Sequence, residues 1–204
     1  MTVAHPTRKE VLSEFRRTGI LRAARKVFAR HGYDGATMDE VAEACDIAKG
    51  TLYLYFKSKR QIYLAVLKED LGGLREATRQ AISREATAHG RIRAFINARF
   101  EFCGRHRDFF RIYNSDVSAI FVATHPTQKD LKEFYLEQAG MLQGIIEEGI
   151  RAGELRTVPA TAAAFAIYDM TRASIARRVL GLTNGEGDAE TLMDLIMNVL
   201  RTPR

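Results

Sequence analysis

Apolar residues recur at three- and four-residue spacing along most of the chain, and the two-residue alternation of strands is almost absent. The pattern predicts an all-α protein. A first helix is expected over 15–31, with Ile20, Ala23, Ala24, Val27 and Phe28 on one face and Arg16, Arg17, Arg22, Arg25, Lys26 and Arg30 elsewhere. A disordered, charged start precedes it, and Gly32 is placed to end it as a C-cap. The elements then shorten. A long helix is expected from Ser58 to about Ala81, weakened at Gly72-Gly73, and others over about 90–105, 107–121, 127–152, 160–181 and 188–201. The breaks fall at 104–107, at His125-Pro126, at 153–159 and at 181–187, where Gly and Pro collect. This divides the chain into a small N-terminal domain over 1–57 and a larger helical one over 58–204.

The short elements carry the most specific signal. Thr37-Met38-Asp39-Glu40 is a capping box, in which the Thr hydroxyl and the Glu carboxylate each accept from a backbone N–H that the first turn leaves free. Val41, Ala42 and Cys45 make a short apolar face, Asp46-Ile47-Ala48 a tight turn, and Lys49-Gly50 opens a second short helix. A helix of about two turns, a three-residue turn and another short helix is the layout of a helix-turn-helix. In the second helix Leu52 and Phe56, four apart, are placed to pack inward on Val41 and Ile47. Lys49, Thr51, Tyr53, Leu54 and Tyr55 are left outside, and Gly50 removes a side chain where a DNA backbone would come close. Ser58 can cap the next helix and, with Lys59, offers an anion site.

Charge strengthens this reading. The whole chain has a net charge of +6, and residues 1–60 alone carry 12 Lys and Arg against 7 Asp and Glu. A basic segment on a nearly neutral body points to a polyanion, either nucleic acid or an acidic membrane surface. No run of about 18 uncharged apolar residues is present, so no span of a membrane is expected. The start lacks the apolar core of a signal peptide, which predicts a cytoplasmic protein. Cys45 and Cys103 lie far apart and away from metal-ligand spacings, and read as reduced thiols. Without a Gly-rich phosphate loop, a metal cluster or a Ser-His-Asp arrangement, an enzyme is not expected, nor is a cofactor.

The string from Thr37 to Ala42, followed by Ile47-Ala48-Lys49-Gly50-Thr51-Leu52-Tyr53-Leu54-Tyr55-Phe56-Lys57-Ser58-Lys59, resembles the DNA-binding domain of the TetR family of bacterial regulators. The likeness extends over about residues 20–67. It implies three N-terminal helices for DNA, a linking fourth helix, and a C-terminal domain of five or six helices that senses a small molecule and dimerises. It further implies that Thr37, Lys49, Thr51, Tyr53, Tyr55 and Lys59 face DNA, to which Gly50 and Leu54 of the second helix are added as DNA-binding candidates. Two positions depart from the family pattern. Asp46 replaces the usual turn Gly, a substitution that left-handed geometry tolerates in Asp. Ala48 replaces the usual Ser or Thr cap and forfeits roughly 1 kcal/mol.

The body is rich in aromatics, among them Phe95, Phe100, Phe109, Phe121 and Tyr135. Taken alone each aromatic reads as core, but as a set, with the resemblance to a ligand-sensing family, Phe102, Phe110, Tyr113, Phe134, Phe165 and Tyr168 are the candidates to line a pocket for a hydrophobic or aromatic ligand. Met141, Met170 and Ile145 would suit an adaptable wall. Asp116, Asp169 and Arg172 either orient a ligand's polar group or pair with one another. The small-residue run 159–166 and the stripe Leu192, Leu195, Ile196, Val199 and Leu200 are an expected homodimer surface, or else close the monomer's core. The function so predicted is a dimeric repressor that binds a palindromic operator and is released by a hydrophobic molecule. The alternative is a DNA architectural or nucleoid protein on the same scaffold, without a sensor.

Overall fold

The computed structural model describes residues 7–116, 127–183 and 187–201, and among these every regular element is a helix. The helices are α1 Arg8–Gly35, α2 Met38–Ala44, α3 Lys49–Tyr55, α4 Lys59–Ser83, α5 Ala88–Arg105, α6 Arg107–Asp116, α7 Gln128–Arg151, α8 Ala160–Val179 and α9 Asp188–Leu200. They form two compact units, Met1–Glu69 and Asp70–Arg204, with α4 contributing to both.

In the first unit the apolar face of α1 behaves as its spacing dictates: Ile20, Leu21, Ala24, Val27 and Phe28 are buried. They close on Val41 and Ala42 of α2, Leu52 of α3, and Ile62, Tyr63, Val66 and Leu67 of α4, all buried. The Phe28 ring meets Tyr63 edge-on at 4.7 Å. The start of α1 corrects the expectation of a disordered lead-in. Thr7 and Glu10 form a second capping box, with the Glu10 N–H donating to the Thr7 hydroxyl (3.3 Å) and the Thr7 N–H to the Glu10 carboxylate (2.7 Å). The helix therefore begins at Arg8, two turns early, and Val11, Leu12 and Phe15 ride on it exposed. Gly32 breaks it where expected, at a left-handed φ of 69°, and one further turn reaches Gly35.

The second unit is built from long helices, with α7 against α8 as its most extensive pair. Glycines 72 and 73 do not interrupt α4. A Cβ on Gly73 would come 3.1 Å from the Phe102 ring, so the missing side chain admits that ring. Gly149 of α7 likewise admits Ala88 and Leu155, which a Cβ would meet at 2.6 and 2.8 Å. Along α9 the expected stripe splits. Leu192, Ile196 and Leu200 are buried with Met193 and Met197, while Leu195 and Val199 remain 58% and 54% exposed. Met170 is also exposed and walls no interior site. Residues 117–121 of the sixth predicted helix, Phe121 included, and the side chain of Asp116 lie outside the described residues.

Candidate functional site

The helix-turn-helix is assembled by short-range hydrogen bonds. At Thr37 the capping box is complete: the Glu40 N–H donates to the hydroxyl (3.2 Å), and the Thr37 N–H donates to the Glu40 carboxylate (2.7 Å). The side-chain and backbone bonds from Thr37 hold the Glu40 carboxyl below its ordinary value. Asp46 takes the turn at φ 53°, the one non-glycine residue with positive φ among those described. Ala48 opens α3 with no side-chain cap, and the Thr51 N–H turns back to donate to the Ala48 carbonyl (2.9 Å).

Leu52 and Phe56 fix the inner face of α3, and the other side chains follow from that anchoring. Lys49, Gly50, Tyr53 and Leu54 are exposed, Leu54 to 75%, and Thr51 and Tyr55 are half-buried. Nothing lies near the position a Gly50 Cβ would occupy. Lys49 pairs with Asp39 at 2.8 Å on the surface, an arrangement a phosphate can replace at little cost. Lys59 is different. Its ammonium donates to the carbonyls of Asp34 (3.1 Å) and Ala36 (3.0 Å) and lies 4.7 Å from the Tyr33 ring centre. Two of its three donors are committed to holding the start of α4 against the α1–α2 connection. Ser58 caps that start through the Gln61 N–H (3.2 Å).

A cleft of about 620 Å³ runs beside α3, lined by Thr51 and Tyr55 together with Phe15, Arg16, Arg22 and Lys26 of α1. Reading the sequence placed these basic residues off the apolar face of α1. The four-residue spacing of Arg22 and Lys26 is the signal that could have put those two on one wall.

In the second unit the six candidate ligand residues belong to one aromatic cluster. Phe102 meets Phe109 (5.9 Å), Phe109 stacks on Tyr113 (5.7 Å), and Tyr113 meets Phe110 (6.1 Å) and Phe134 (6.3 Å). The Tyr113 and Tyr168 hydroxyls share a hydrogen bond of 2.6 Å, and Tyr135 bridges Tyr168 (4.9 Å) to Phe165 (5.5 Å). Burial pushes the Tyr113 phenol well above its ordinary value. Asp169 accepts from the Tyr135 hydroxyl (3.0 Å) and lies 3.9 Å from Arg172 Nε. Two polar members were missed. Arg99, 1% exposed, projects from α5 into this cluster, and its Nη1 donates to Gln138 Oε1 (3.2 Å) on α7. Both occupy apolar stripes, Arg99 among Ile92, Phe95, Ile96 and Cys103, and Gln138 among Leu131, Phe134, Leu142 and Ile145. A single polar residue on such a stripe was the available signal. Among the described residues no group of His, Cys, Asp and Glu is placed to hold a metal ion.

Comparison with known proteins identifies both units. The family profile described as "Bacterial regulatory proteins, tetR family" matches residues 20–66, and that of "Tetracyclin repressor-like, C-terminal domain" matches residues 85–176. The chain is 28% identical over 137 residues to the fatty acid metabolism regulator protein of Bacillus subtilis, spanning 67% of this chain and 69% of that protein. It is 37% identical over 97 residues to the transcriptional activator FasR of Mycolicibacterium smegmatis, or 48% of this chain and 44% of the relative. Its fold matches that of FadR from Bacillus subtilis, solved with stearoyl-CoA, at a TM-score of 0.77, 22% identity, and 88% and 96% coverage of the two chains. It matches the ketosteroid regulator KstR2 of Mycobacterium tuberculosis equally, at 0.77 and 22% identity over 92% and 96%. With both profiles matched in order on an all-helical fold that begins in a helix-turn-helix, the chain belongs to the TetR family of bacterial transcriptional regulators.

Proposed function

We propose that this regulator is a homodimeric repressor that reads a palindromic operator with α3 and releases it when a hydrophobic acyl compound enters the second unit. The observation that carries the DNA half is the outer face of α3, held out by a buried Leu52–Phe56 anchor beside the basic wall of α1. Lys49, Gly50 and Thr51 lie at the helix start, the end that reaches base edges in this motif. Leu54 suits a thymine methyl group, and Tyr53 and Tyr55 suit phosphate oxygens. Thr37, at the start of α2, and Arg16, Arg22 and Lys26 extend the phosphate track. Lys59 adds its charge while chiefly clamping the loop.

The sensing half draws on the relatives named for fatty acid metabolism and on an aromatic cluster whose apolar rings match an acyl chain in character. Exposed Leu195 and Val199 on α9, with Leu180 and Leu182 after α8, favour a second copy as the dimer partner. Such a protein works in the cytoplasm, on DNA. Close packing among the aromatics favours the second reading, an architectural protein that binds DNA and senses nothing.

One titration separates the two. An inverted repeat is first selected from random duplexes, and its affinity is then measured by fluorescence anisotropy with and without dodecanoyl-CoA. Release of the operator, matched by an equal weakening of dodecanoyl-CoA binding when operator is present, is the expected result, since coupling between sites is reciprocal. Operator affinity unmoved by any acyl compound would leave the architectural reading. Lys49→Met should lower the slope of log affinity against log salt by about one unit.

A further inference from the structure

Arg99 is a cation in the middle of a hydrophobic core. Its guanidinium lies 4.6 Å from the Tyr168 ring centre and 5.3 Å from that of Phe95, and no carboxylate approaches it within ion-pair distance among the described residues. Its hydrogen-bonding neighbours there are neutral: the Gln138 amide, which accepts at 3.2 Å, and the Tyr168 hydroxyl. Tyr113, kept neutral by burial, supplies no compensating charge. A guanidinium in such a place is costly, because cation–π contacts recover only part of its lost hydration.

The unmatched atoms have one character. Among the described residues three buried side-chain atoms have no hydrogen-bond partner: Arg99 Nε, Gln138 Nε2 and Arg172 Nε, the last standing 3.9 Å from the Asp169 carboxylate, an ion-pair distance. All three are N–H donors. Gln138 is held in this sense because its oxygen is taken by Arg99. Arg172 belongs to the same neighbourhood, its charge acting on Tyr113 and Tyr135. A surplus of donors and of positive charge, ringed by aromatics, is complementary to a group that only accepts and is attached to something apolar.

We propose that Arg99, Gln138 and Arg172, beside the Tyr113–Tyr168 hydroxyl pair, form the polar end of the ligand site. The acyl oxygen of a fatty acid or of its thioester docks on these donors, and its chain displaces ring packing around Phe110, Phe134 and Phe165. This rests on the ligand-sensing reading above and adds to it the chemistry of the ligand's head. The Tyr113–Tyr168 bond and the Arg99–Gln138 bond close the site in the empty protein, and docking exchanges them for bonds to the ligand.

The test uses the full chain with three probes of equal chain length: dodecanoate, dodecanoyl-CoA and dodecanol. Binding is followed by calorimetry and operator release by anisotropy. Wild type should bind the acid, the thioester or both at least about tenfold tighter than the alcohol, as expected for hydrogen bonds to a charged donor. Which of the two binds tells the free acid from the thioester. Arg99→Met should erase the preference while dodecanol affinity stays within about threefold. Its unliganded melting midpoint should match or exceed that of wild type, because an apolar isostere replaces an unpaired buried cation. Gln138→Leu, a milder change, should reduce the preference in part.

Equal affinity for acid, thioester and alcohol in wild type overturns the inference, and release of operator by these same compounds would still uphold the sensing reading. A preference that survives in both variants also overturns it. So does a lowered midpoint for Arg99→Met with the preference intact, which marks a packing residue. If no probe binds or releases operator, the inference and the acyl-sensing reading fail together.

Discussion

In the first unit the decisive polar side chains sit at helix ends. Thr7 and Thr37 with their glutamates, Ser58 with Gln61, and Lys59 on two carbonyls each complete backbone groups that a helix leaves open, and each pair lies in or near solvent. In the second unit the decisive polar side chains lie in mid-helix and face the core. Thr78 and Thr171 fold back onto carbonyls of their own helices, while Arg99, Gln138 and Arg172 keep donors in reserve. One unit spends its polarity on geometry and presents a finished surface. The other keeps polarity inside, where its cost is borne by the surrounding packing.

That contrast can be broken by experiment, and the largest effects should come from the second unit. Leu195→Glu with Val199→Glu leaves the buried side of α9 untouched but sets charges on the face assigned to the partner copy. Sedimentation should show monomers, and operator affinity should fall by at least about a hundredfold, because one recognition helix loses the second half-site. An unchanged dimer would move the interface elsewhere. Phe134→Ala empties a fully buried aromatic site and should cost about 3–5 kcal/mol in urea unfolding. A much smaller loss would show a core already loose enough to collapse around the gap.

Effects in the first unit should be smaller and local. Thr37→Ala removes the α2 cap, for about 1 kcal/mol. The box also carries a pH signature. Glu40 has its folded value depressed by Thr37, so its contribution is complete above the ordinary glutamate range and is lost as pH falls through the depressed value. Glu40→Gln keeps an acceptor for the Thr37 N–H and should flatten that acid limb. An acid limb unchanged in Glu40→Gln would assign it to other carboxylates. Smallest of all, Ala48→Ser supplies the cap α3 lacks and should raise stability by roughly 0.5–1 kcal/mol. No change would mean that a neighbouring group already satisfies that end.

The same difference explains what could be read from the residues alone. In the helix-turn-helix the partners are three or four positions apart, so Thr37–Glu40, the Asp46 turn and the missing cap at Ala48 were all visible as strings. The identical device at Thr7–Glu10 went unread because the buried stripe of that helix begins only at Ile20, well beyond the cap. Helix extents in the second unit followed from periodicity and from Gly and Pro breaks. The side-chain partners that join one helix to another there lie 34 to 66 positions apart, as with Arg99 and Gln138, and spacing within a helix carries no trace of them. Periodicity likewise could not split the α9 stripe, since Leu195 and Val199 flank the buried face by a fraction of a turn.

The start of α5 is finished by a distant acceptor: the Ala88 N–H donates to the Glu154 carboxylate at 2.6 Å. Two residues beyond Glu154, the Arg156 N–H donates to the Leu200 carbonyl at 3.0 Å. Each bond makes an earlier segment depend on a later one, so the body is expected to close only after residue 200 has left the ribosome. The reading unit has all of its internal partners once Glu69 has emerged. Proteolysis of nascent chains stalled with 183 and with 201 residues exposed should find the first unit protected in both and the second only in the longer one. Protection of the second unit in the shorter chain would show these bonds to be late refinements. In that order a partly made chain would hold α1, α2 and α3 in native form before the second unit has closed.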